Sequence, residues 1–233
     1  MKKQLTTKKV EQVIALAEQH QDYQTLMATL NELQDLNAVE RKVEESFVVN
    51  TKDPVTPPIG KIKLAYENKA EIVIAYEETE DGLTLHFYGA AFTPKRDELT
   101  IFSVKDQKAT PFFSKNLQEE PEKEQAEEEA GVEAQEDVTT QAYSWGDGCY
   151  PYYVMSINIG YSHCGKNCGD YGDLGGGSSR NAMDDCCQAH DRCWRTFGSG
   201  DCECDEILLD CAARNKWVDI DLYWAINAIF DRC

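Results

Sequence analysis

One short segment in the second half of the chain combines the residue types that hydrolytic chemistry needs. Residues 184–193 read Asp-Asp-Cys-Cys-Gln-Ala-His-Asp-Arg-Cys. On a helix, Cys186 lies one turn before His190, and in the same way Cys187 lies one turn before the next residue, Asp191. Adjacent cysteines point in different directions, so two disulfides would tie this turn to two neighbours. A histidine held in this way is rigidly placed, as a general base requires.

The same segment also offers oxygen ligands for a metal ion. Asp191 follows the histidine directly, and a polar, glycine-rich stretch over residues 165–179 precedes the helix. One carboxylate together with backbone carbonyls of such a loop makes the ligand set that a hard cation such as Ca²⁺ prefers. A divalent cation beside a histidine-activated water is a coherent hydrolytic site.

Three motifs in this region resemble those of secreted phospholipase A2 enzymes. The family signature Cys-Cys-x-x-His-Asp-x-Cys is matched by Cys186–Cys193, and the hallmark Cys-x-Cys-Asp is matched by Cys202–Asp205. The stretch Cys164–Gly172 looks like the family's calcium loop, closest to the compact plant and bacterial forms. The resemblance covers roughly residues 149–233 and says nothing about residues 1–140.

The resemblance implies a reaction and two catalytic residues. The reaction is hydrolysis of the sn-2 ester of a glycerophospholipid at a membrane surface, which gives a fatty acid and a lysophospholipid. His190 would be the general base that takes a proton from the attacking water. Asp205 would hold the other ring nitrogen and so fix its tautomer. Ca²⁺ and a loop N–H would stabilise the oxyanion.

The resemblance also implies a Ca²⁺ site in which Asp191 gives its carboxylate. With the loop aligned on Cys168, three backbone carbonyls complete the set, namely those of Asn167, Gly169 and Tyr171. With the loop aligned on Cys164, the carbonyls are instead those of His163, Gly165 and Asn167. The sequence leaves both alignments open.

The matching positions further imply three disulfides, Cys168–Cys187, Cys186–Cys211 and Cys193–Cys204. The pairing of the other four cysteines stays open, since sequence alone does not give it. One position departs from the family. Trp194 follows the last cysteine of the signature, where many members have a tyrosine bonded into the histidine–aspartate network. An indole can donate a hydrogen bond but cannot accept one.

The distribution of cysteine indicates the compartment. All ten cysteines lie between Cys149 and Cys233. This density is typical of a disulfide framework in an oxidising environment, so we expect a secreted protein. However, Met1-Lys2-Lys3 is followed by threonine, lysine and glutamate where a conventional signal peptide has its apolar region.

Charge and hydropathy exclude several classes of function. The formal net charge is −19 at pH 7, and we find no basic patch that would bind nucleic-acid phosphate. The same acidity opposes strong electrostatic attraction to anionic membranes. No run approaches the ~20 apolar residues of a membrane-spanning helix, so a lipid surface would be contacted peripherally.

Composition divides the chain into three parts. We expect a small α+β domain over residues 1–116, with one or two helices over 8–36 and a β-meander over 60–104. Residues 117–142 are glutamate-rich and predict a disordered acidic linker, either a solvated spacer or a protease-accessible junction. Residues 143–233 predict an all-α, disulfide-rich domain, with two helices over 181–195 and 205–215 and a final amphipathic stretch over 217–230. In its last stretch, Trp217 and Trp224 lie a heptad apart and belong either to a core or to a lipid interface.

Two functional classes follow. The first is a calcium-dependent phospholipase A2 whose N-terminal half acts in cis as a leader, inhibitor or chaperone. The second is a non-catalytic membrane-binding or antibacterial toxin module on the same disulfide-stapled scaffold. The second class gives no reason to keep His190, Asp191 and Asp205 together, so the sequence favours the enzyme. A zinc site is disfavoured, because a vicinal cysteine pair fits one tetrahedral ion poorly.

Overall fold

The computed structural model describes residues 2–49, 57–117, 148–155 and 157–230. The predicted acidic linker lies, except for Leu117, outside the described residues. The N-terminal half is the expected α+β domain, and the C-terminal half is mainly helical. No helix within the described ranges is long and apolar enough to cross a membrane.

Two helices lie near the start of the chain, where the apolar spacing predicted one or two helices. Helix α1 spans Thr7–Gln19 and helix α2 spans Gln21–Leu33. The Thr6 side chain caps α1 by accepting from the backbone N–H of Lys9. His20 separates the two helices, because its ring accepts from the N–H of Asp22 and begins α2. Their apolar faces are fully buried against the sheet, at Val13, Ala17, Leu26 and Leu30.

A seven-stranded antiparallel sheet follows, with the strands in sequence order across the sheet. The strands are β1 (Lys2–Gln4), β2 (Arg41–Val49), β3 (Ile59–Tyr66), β4 (Ala70–Thr79), β5 (Gly82–Phe92), β6 (Glu98–Lys105) and β7 (Lys108–Asn116). The predicted meander is therefore confirmed as β3 to β6. The prediction missed β1, β2 and β7, whose sequences carry many lysines and glutamates that hide the strand pattern.

The predicted hairpin turn joins β4 to β5, with Thr79 opposite Gly82. Gly82 has a φ of +124°, which a residue with a Cβ rarely adopts. Asp81 is not among the residues with positive φ, so only the glycine of the Asp-Gly pair takes the special conformation.

The sheet is covered on both faces. Side chains alternate between the faces along a strand, and Ile62 and Leu64 of β3 pack with the two helices. On the opposite face, Ile59 of β3 and Ala75 of β4 pack with the C-terminal half. The sheet thus forms the middle layer between α1–α2 and the cysteine-containing half.

The C-terminal half contains three helices and a short hairpin. The hairpin pairs β8 (Tyr153–Val154) with β9 (Ile157–Asn158). The helices are α3 (Ala182–Phe197), α4 (Cys202–Arg214) and α5 (Ile220–Phe230). The helices agree with the sequence prediction, whereas the hairpin departs from a purely helical domain.

Four disulfides join described cysteines, and Cys202 is disulfide-bonded as well. The predicted pairs Cys186–Cys211 and Cys193–Cys204 are confirmed. The predicted pair Cys168–Cys187 was wrong, because Cys187 bonds to Cys164 and Cys168 bonds to Cys149. The loop residues between Cys164 and Cys168 take positive φ at Gly165 and Asn167, so the two cysteines face different neighbours.

Candidate active site

Helix α3 carries the central residues and is fixed at both ends. Its first turn is capped by Asn181, whose side-chain oxygen accepts from two backbone N–H groups. Disulfides tie α3 to α4 at Cys186 and Cys193, and to the preceding loop at Cys187. His190 lies between these anchors and is 5% exposed. The rigid placement expected from the vicinal cysteines is therefore present.

His190 and Asp205 are brought together from adjacent helices. His190 Nε2 lies 2.9 Å from Asp205 Oδ1. Because an ionised carboxylate can only accept, Nε2 carries the proton and Nδ1 keeps its lone pair. Asp205 lies in the first turn of α4 and is buried, and Trp194 Nε1 also donates to its Oδ1, at 3.0 Å.

Burial lowers the pKa of His190, and the hydrogen bond and charge of Asp205 offset this only in part. The imidazole is therefore neutral at neutral pH, with a lone pair available for a proton. Two aromatic rings enclose it: the centroid of Trp194 lies 4.4 Å away and that of Phe230 lies 5.0 Å away.

The glycine-rich loop approaches Asp191 so closely that only glycine fits. Gly169 has a φ of +113°, and a Cβ built on it would stand 2.5 Å from Asp191 Oδ2 and 3.2 Å from His163 Nδ1. Within residues 2–49, 57–117, 148–155 and 157–230, these two atoms are the buried side-chain polar atoms that lack a hydrogen-bond partner. Both atoms therefore lie beside Gly169, and neither forms a hydrogen bond with a protein group.

The two unpartnered atoms are a carboxylate oxygen and an imidazole nitrogen. His163 Nε2 lies 3.0 Å from the carbonyl oxygen of Gly177 and 2.9 Å from Gln188 Nε2. The first partner accepts and the second donates, so either tautomer of His163 has a partner at Nε2. Burial, together with the charges of Asp170 and Asp184, raises the pKa of Asp191 to about 7. A nearby cation would offset this unfavourable environment for the carboxylate.

The residues present fit a hard cation held by one carboxylate and backbone oxygens. Among the described residues there is no group of three or more histidine, cysteine or acidic side chains that could hold a metal. A site here would therefore use Asp191 with loop carbonyls, as Ca²⁺ accepts. The unpartnered oxygen of Asp191 and the missing side chain of Gly169 are the observations that support this fit.

The residues whose carbonyls are the predicted ligands lie near Asp191, and their roles stay predictions. Asn167 and Tyr171 line the same cavity as Asp191, and Gly169 lies against its carboxylate. The disulfide that joins the loop to α3 starts at Cys164, which favours the alignment on that cysteine. The carbonyl set is then that of His163, Gly165 and Asn167.

A cavity of about 810 Å³ opens beside these groups. His190 and Asp191 line its polar part, and several apolar side chains form its walls: Trp194, Leu208, Ile226, Ile229 and Phe230. The wall residues of α4 and α5 and the His163 side chain were not predicted from the sequence to belong to a site. The helical spacing of Ile226, Ile229 and Phe230 was the available signal, although it also fits an ordinary core.

Comparisons with known proteins identify no relative from which a function could be inferred. No family model, no curated protein and no solved structure matches the chain. The contacts within the cavity are therefore the grounds on which a function is inferred.

Proposed function

We propose that the C-terminal half hydrolyses the sn-2 ester of glycerophospholipids in a Ca²⁺-dependent reaction, as a phospholipase A2. One observation carries this proposal. A buried His190–Asp205 pair lies beside Asp191 at the polar part of a large apolar cavity. The sequence motifs that resemble secreted phospholipase A2 enzymes supply the reaction class.

In this reaction His190 is the general base. Its Nδ1 accepts a proton from the attacking water, while Nε2 stays hydrogen-bonded to Asp205. The positive charge that forms on the ring is stabilised by the Asp205 carboxylate. Trp194 holds the same carboxylate oxygen and so prevents it from turning away from the histidine.

The cation site lies next to this base. Asp191 and the backbone carbonyls of His163, Gly165 and Asn167 would hold Ca²⁺. When bound, Ca²⁺ supplies positive charge that polarises the ester carbonyl. The chain contributes the loop geometry, because Gly169 lets the backbone approach the Asp191 carboxylate within contact distance.

The cavity fits a lipid acyl chain. Its volume of about 810 Å³ falls within the range of small-molecule sites, and its walls are formed by aromatic and aliphatic side chains. An acyl chain against Leu208, Ile226 and Phe230 would displace water from around His190. Exclusion of water strengthens the interaction between His190 and Asp205.

Exposed apolar side chains offer contact with a membrane surface. Phe197 is 72% exposed at the end of α3, and Tyr171 is 52% exposed in the cation loop. The Arg195 guanidinium lies over the Tyr171 ring, 4.3 Å from its centroid, and both residues line the cavity. Tyr171, Arg195 and the following end of α3 form the rim of the cavity. A peripheral lipid contact at this rim would place the ester near His190. The disulfides are consistent with an extracellular protein.

The test uses the oxidised full chain with phospholipid vesicles that carry a labelled sn-2 fatty acid. We expect Ca²⁺-dependent release of the label, which a chelator abolishes. His190→Gln should lower the rate at least a hundredfold, since general-base catalysis contributes about 10²–10⁴-fold. Asp191→Asn should raise the Ca²⁺ concentration needed for activity.

Matched substitutions provide the controls. His20→Gln and Asp210→Asn change the same residue types outside the cavity and should leave the rate unchanged. Absence of release from the correctly oxidised chain, on zwitterionic and anionic vesicles with ample Ca²⁺, would contradict the enzyme. Vesicle leakage without fatty-acid release would instead favour the non-catalytic membrane-binding module.

A further inference from the structure

We infer that residues 2–117 form a domain that stays bound to the C-terminal half and supports its fold. This domain leaves the cavity uncovered. The first ground is a shared hydrophobic core. Phe47 and Ile59 of the sheet are buried in one cluster with Met183, Leu208 and Leu222 of the three C-terminal helices. Each of these five side chains is at most 2% exposed. The C-terminal helices therefore do not complete this core by themselves.

A second apolar cluster joins the two halves at the other end of the sheet. Val154 of β8 and Ile159, which directly follows β9, pack against Phe92, Leu99 and Ile101 of β5 and β6. A backbone contact lies between the two clusters, where Met155 N donates to Glu71 Oε2 at 3.1 Å. The contact between the halves thus extends along several strands.

Two ion pairs orient this contact, and the Lys61–Asp221 pair is mostly buried. Lys61 Nζ lies 2.7 Å from Asp221 Oδ2, and Lys2 Nζ lies 3.1 Å from Asp221 Oδ1. Burial opposes the charge on Lys61, but the carboxylates of Asp221 and Glu45 outweigh it and raise the Lys61 pKa. Because removal of one partner leaves a buried charge unpaired, such pairs specify how two surfaces meet.

A third set of polar and aromatic contacts connects β4 and β5 with the segment before α5. Lys216 Nζ forms an ion pair with Glu77, and both side chains are mostly buried. The Trp217 ring stacks on His86, with centroids 4.1 Å apart and an interplanar angle of 19°. Trp217 therefore packs against the sheet. Of the two predicted roles, packing within the protein and contact with a lipid interface, it has the first.

The cavity lies outside this contact. None of the described residues that line the cavity belongs to residues 2–117. Helix α5 serves both regions, since Ile220 and Asp221 at its start contact the sheet while Ile229 and Phe230 at its end line the cavity. The N-terminal half thus positions a cavity wall and leaves the opening accessible. An inhibitor that plugs the site would instead contribute lining residues.

No disulfide can hold the halves together, because every cysteine lies at or after position 149. Non-covalent contacts are therefore the whole of the attachment once the chain is cut between the halves. We expect the cut protein to remain one particle. Proteolysis within 118–147 would then change the covalent connection without releasing the C-terminal half.

The experiment starts from the oxidised full chain with a site-specific protease sequence inserted within residues 118–147. After complete cleavage, size-exclusion chromatography under native conditions should give one peak that contains both fragments. Two separate peaks, with the C-terminal fragment still folded by circular dichroism, would overturn the inference. This readout needs no enzymatic activity, so it is independent of the proposed function.

A charge exchange tests the assigned surface. In the cleaved protein, Lys216→Glu and Glu77→Lys should each weaken the association of the fragments about tenfold or more. The double exchange should restore most of it, because the ion pair is re-formed in the opposite sense. Lys9→Glu is the matched control, since its partner Glu78 belongs to the same half. Equal association for the wild type and all variants would overturn the assigned contact.

Discussion

His190 Nε2 and Trp194 Nε1 converge on one carboxylate oxygen, Asp205 Oδ1, at 2.9 and 3.0 Å. The two donors lie one helical turn apart on α3, and the acceptor lies on α4. Each donor limits the rotation of the Asp205 carboxylate and so keeps Oδ1 in place for the other donor. Trp194 is therefore a positioning residue for His190 as well as a wall of the cavity.

Trp194→Phe should lower kcat for fatty-acid release about tenfold or more, with a smaller change in KM. The substitution keeps an aromatic wall but removes a hydrogen bond to a charged group, which contributes about 1.5–3 kcal/mol. The measurement is steady-state kinetics on vesicles, with Trp217→Phe as the same change outside the cavity. An unchanged kcat combined with a lower unfolding midpoint would assign Trp194 to packing alone.

Gly169→Ala should weaken Ca²⁺ binding, measured by isothermal titration calorimetry on the full chain. The new Cβ would stand 2.5 Å from Asp191 Oδ2, so the carboxylate or the loop must move. Gly198→Ala is a close control, because Gly198 has a φ of +112° and nothing within 4 Å of its Cβ position. Both variants should lose about 1–3 kcal/mol of stability from backbone strain, but only Gly169→Ala should affect Ca²⁺. Equal Ca²⁺ affinity in the two variants would remove Gly169 from the cation site.

Asp219 should make the free energy of unfolding fall as pH rises from about 4 to about 6. Burial and the nearby Asp221 raise the pKa of Asp219 to about 6, above its ordinary value of 3.8. Its contribution is therefore fully present below pH 4 and is lost as pH rises through 6. Asp219→Asn should remove this loss. The free energy of unfolding of the variant minus that of the wild type should therefore be larger at pH 7 than at pH 4, by on the order of 3 kcal/mol.

Urea denaturation across this pH range measures the effect, and Asp221→Asn provides a control of opposite sign. Burial opposes the charge of Asp221, but Lys61 and Lys2 outweigh it and lower the pKa of that carboxyl. Its contribution is present above pH 4 and is lost as pH falls through the lowered value. Parallel pH curves for wild type and Asp219→Asn would show that the folded protein does not shift this group.

Phe197→Ser should reduce partition onto phospholipid vesicles about tenfold. Phe197 is 72% exposed, and burial of a phenylalanine side chain contributes about 1.5–3 kcal/mol. Ile207→Ser is the control, because Ile207 is 50% exposed on α4, whereas Phe197 lies in sequence between Arg195 and Ser199, which both line the cavity. Vesicle co-sedimentation measures both variants. A larger loss for Ile207→Ser would move the lipid-contacting surface away from the cavity rim.

The local residue pattern was sufficient to predict the helices and most of the sheet. Helix α3 follows from its capping asparagine and its apolar and cysteine spacing, and β3 to β6 follow from runs of β-branched and aromatic residues. The edge strands β1 and β7 and strand β2 were missed. Their pairing depends on neighbours far away in sequence, which local patterns do not report.

For the site, the family resemblance implied a hydrogen bond between His190 and Asp205, and the structure contains it. The catalytic roles of the two residues stay predictions. The resemblance could not tell which of two loop cysteines four residues apart reaches Cys187, because loop conformation decides this. It also gave no sign that Lys61 and Asp221, 160 residues apart, form an ion pair. Such long-range contacts depend on how the two halves pack, so the shared core was beyond a sequence-based prediction.

The order of the two halves along the chain has a consequence for biosynthesis. Domains near the N-terminus generally fold first as the chain is made. The sheet face that bears Phe47, Ile59 and Ala75 therefore exists before the first cysteine emerges at position 149. A sheet face that already presents part of the core would reduce the search among the many possible disulfide pairings of ten cysteines. It would do so by favouring the compact arrangement in which Cys187 bonds to Cys164 rather than to Cys168.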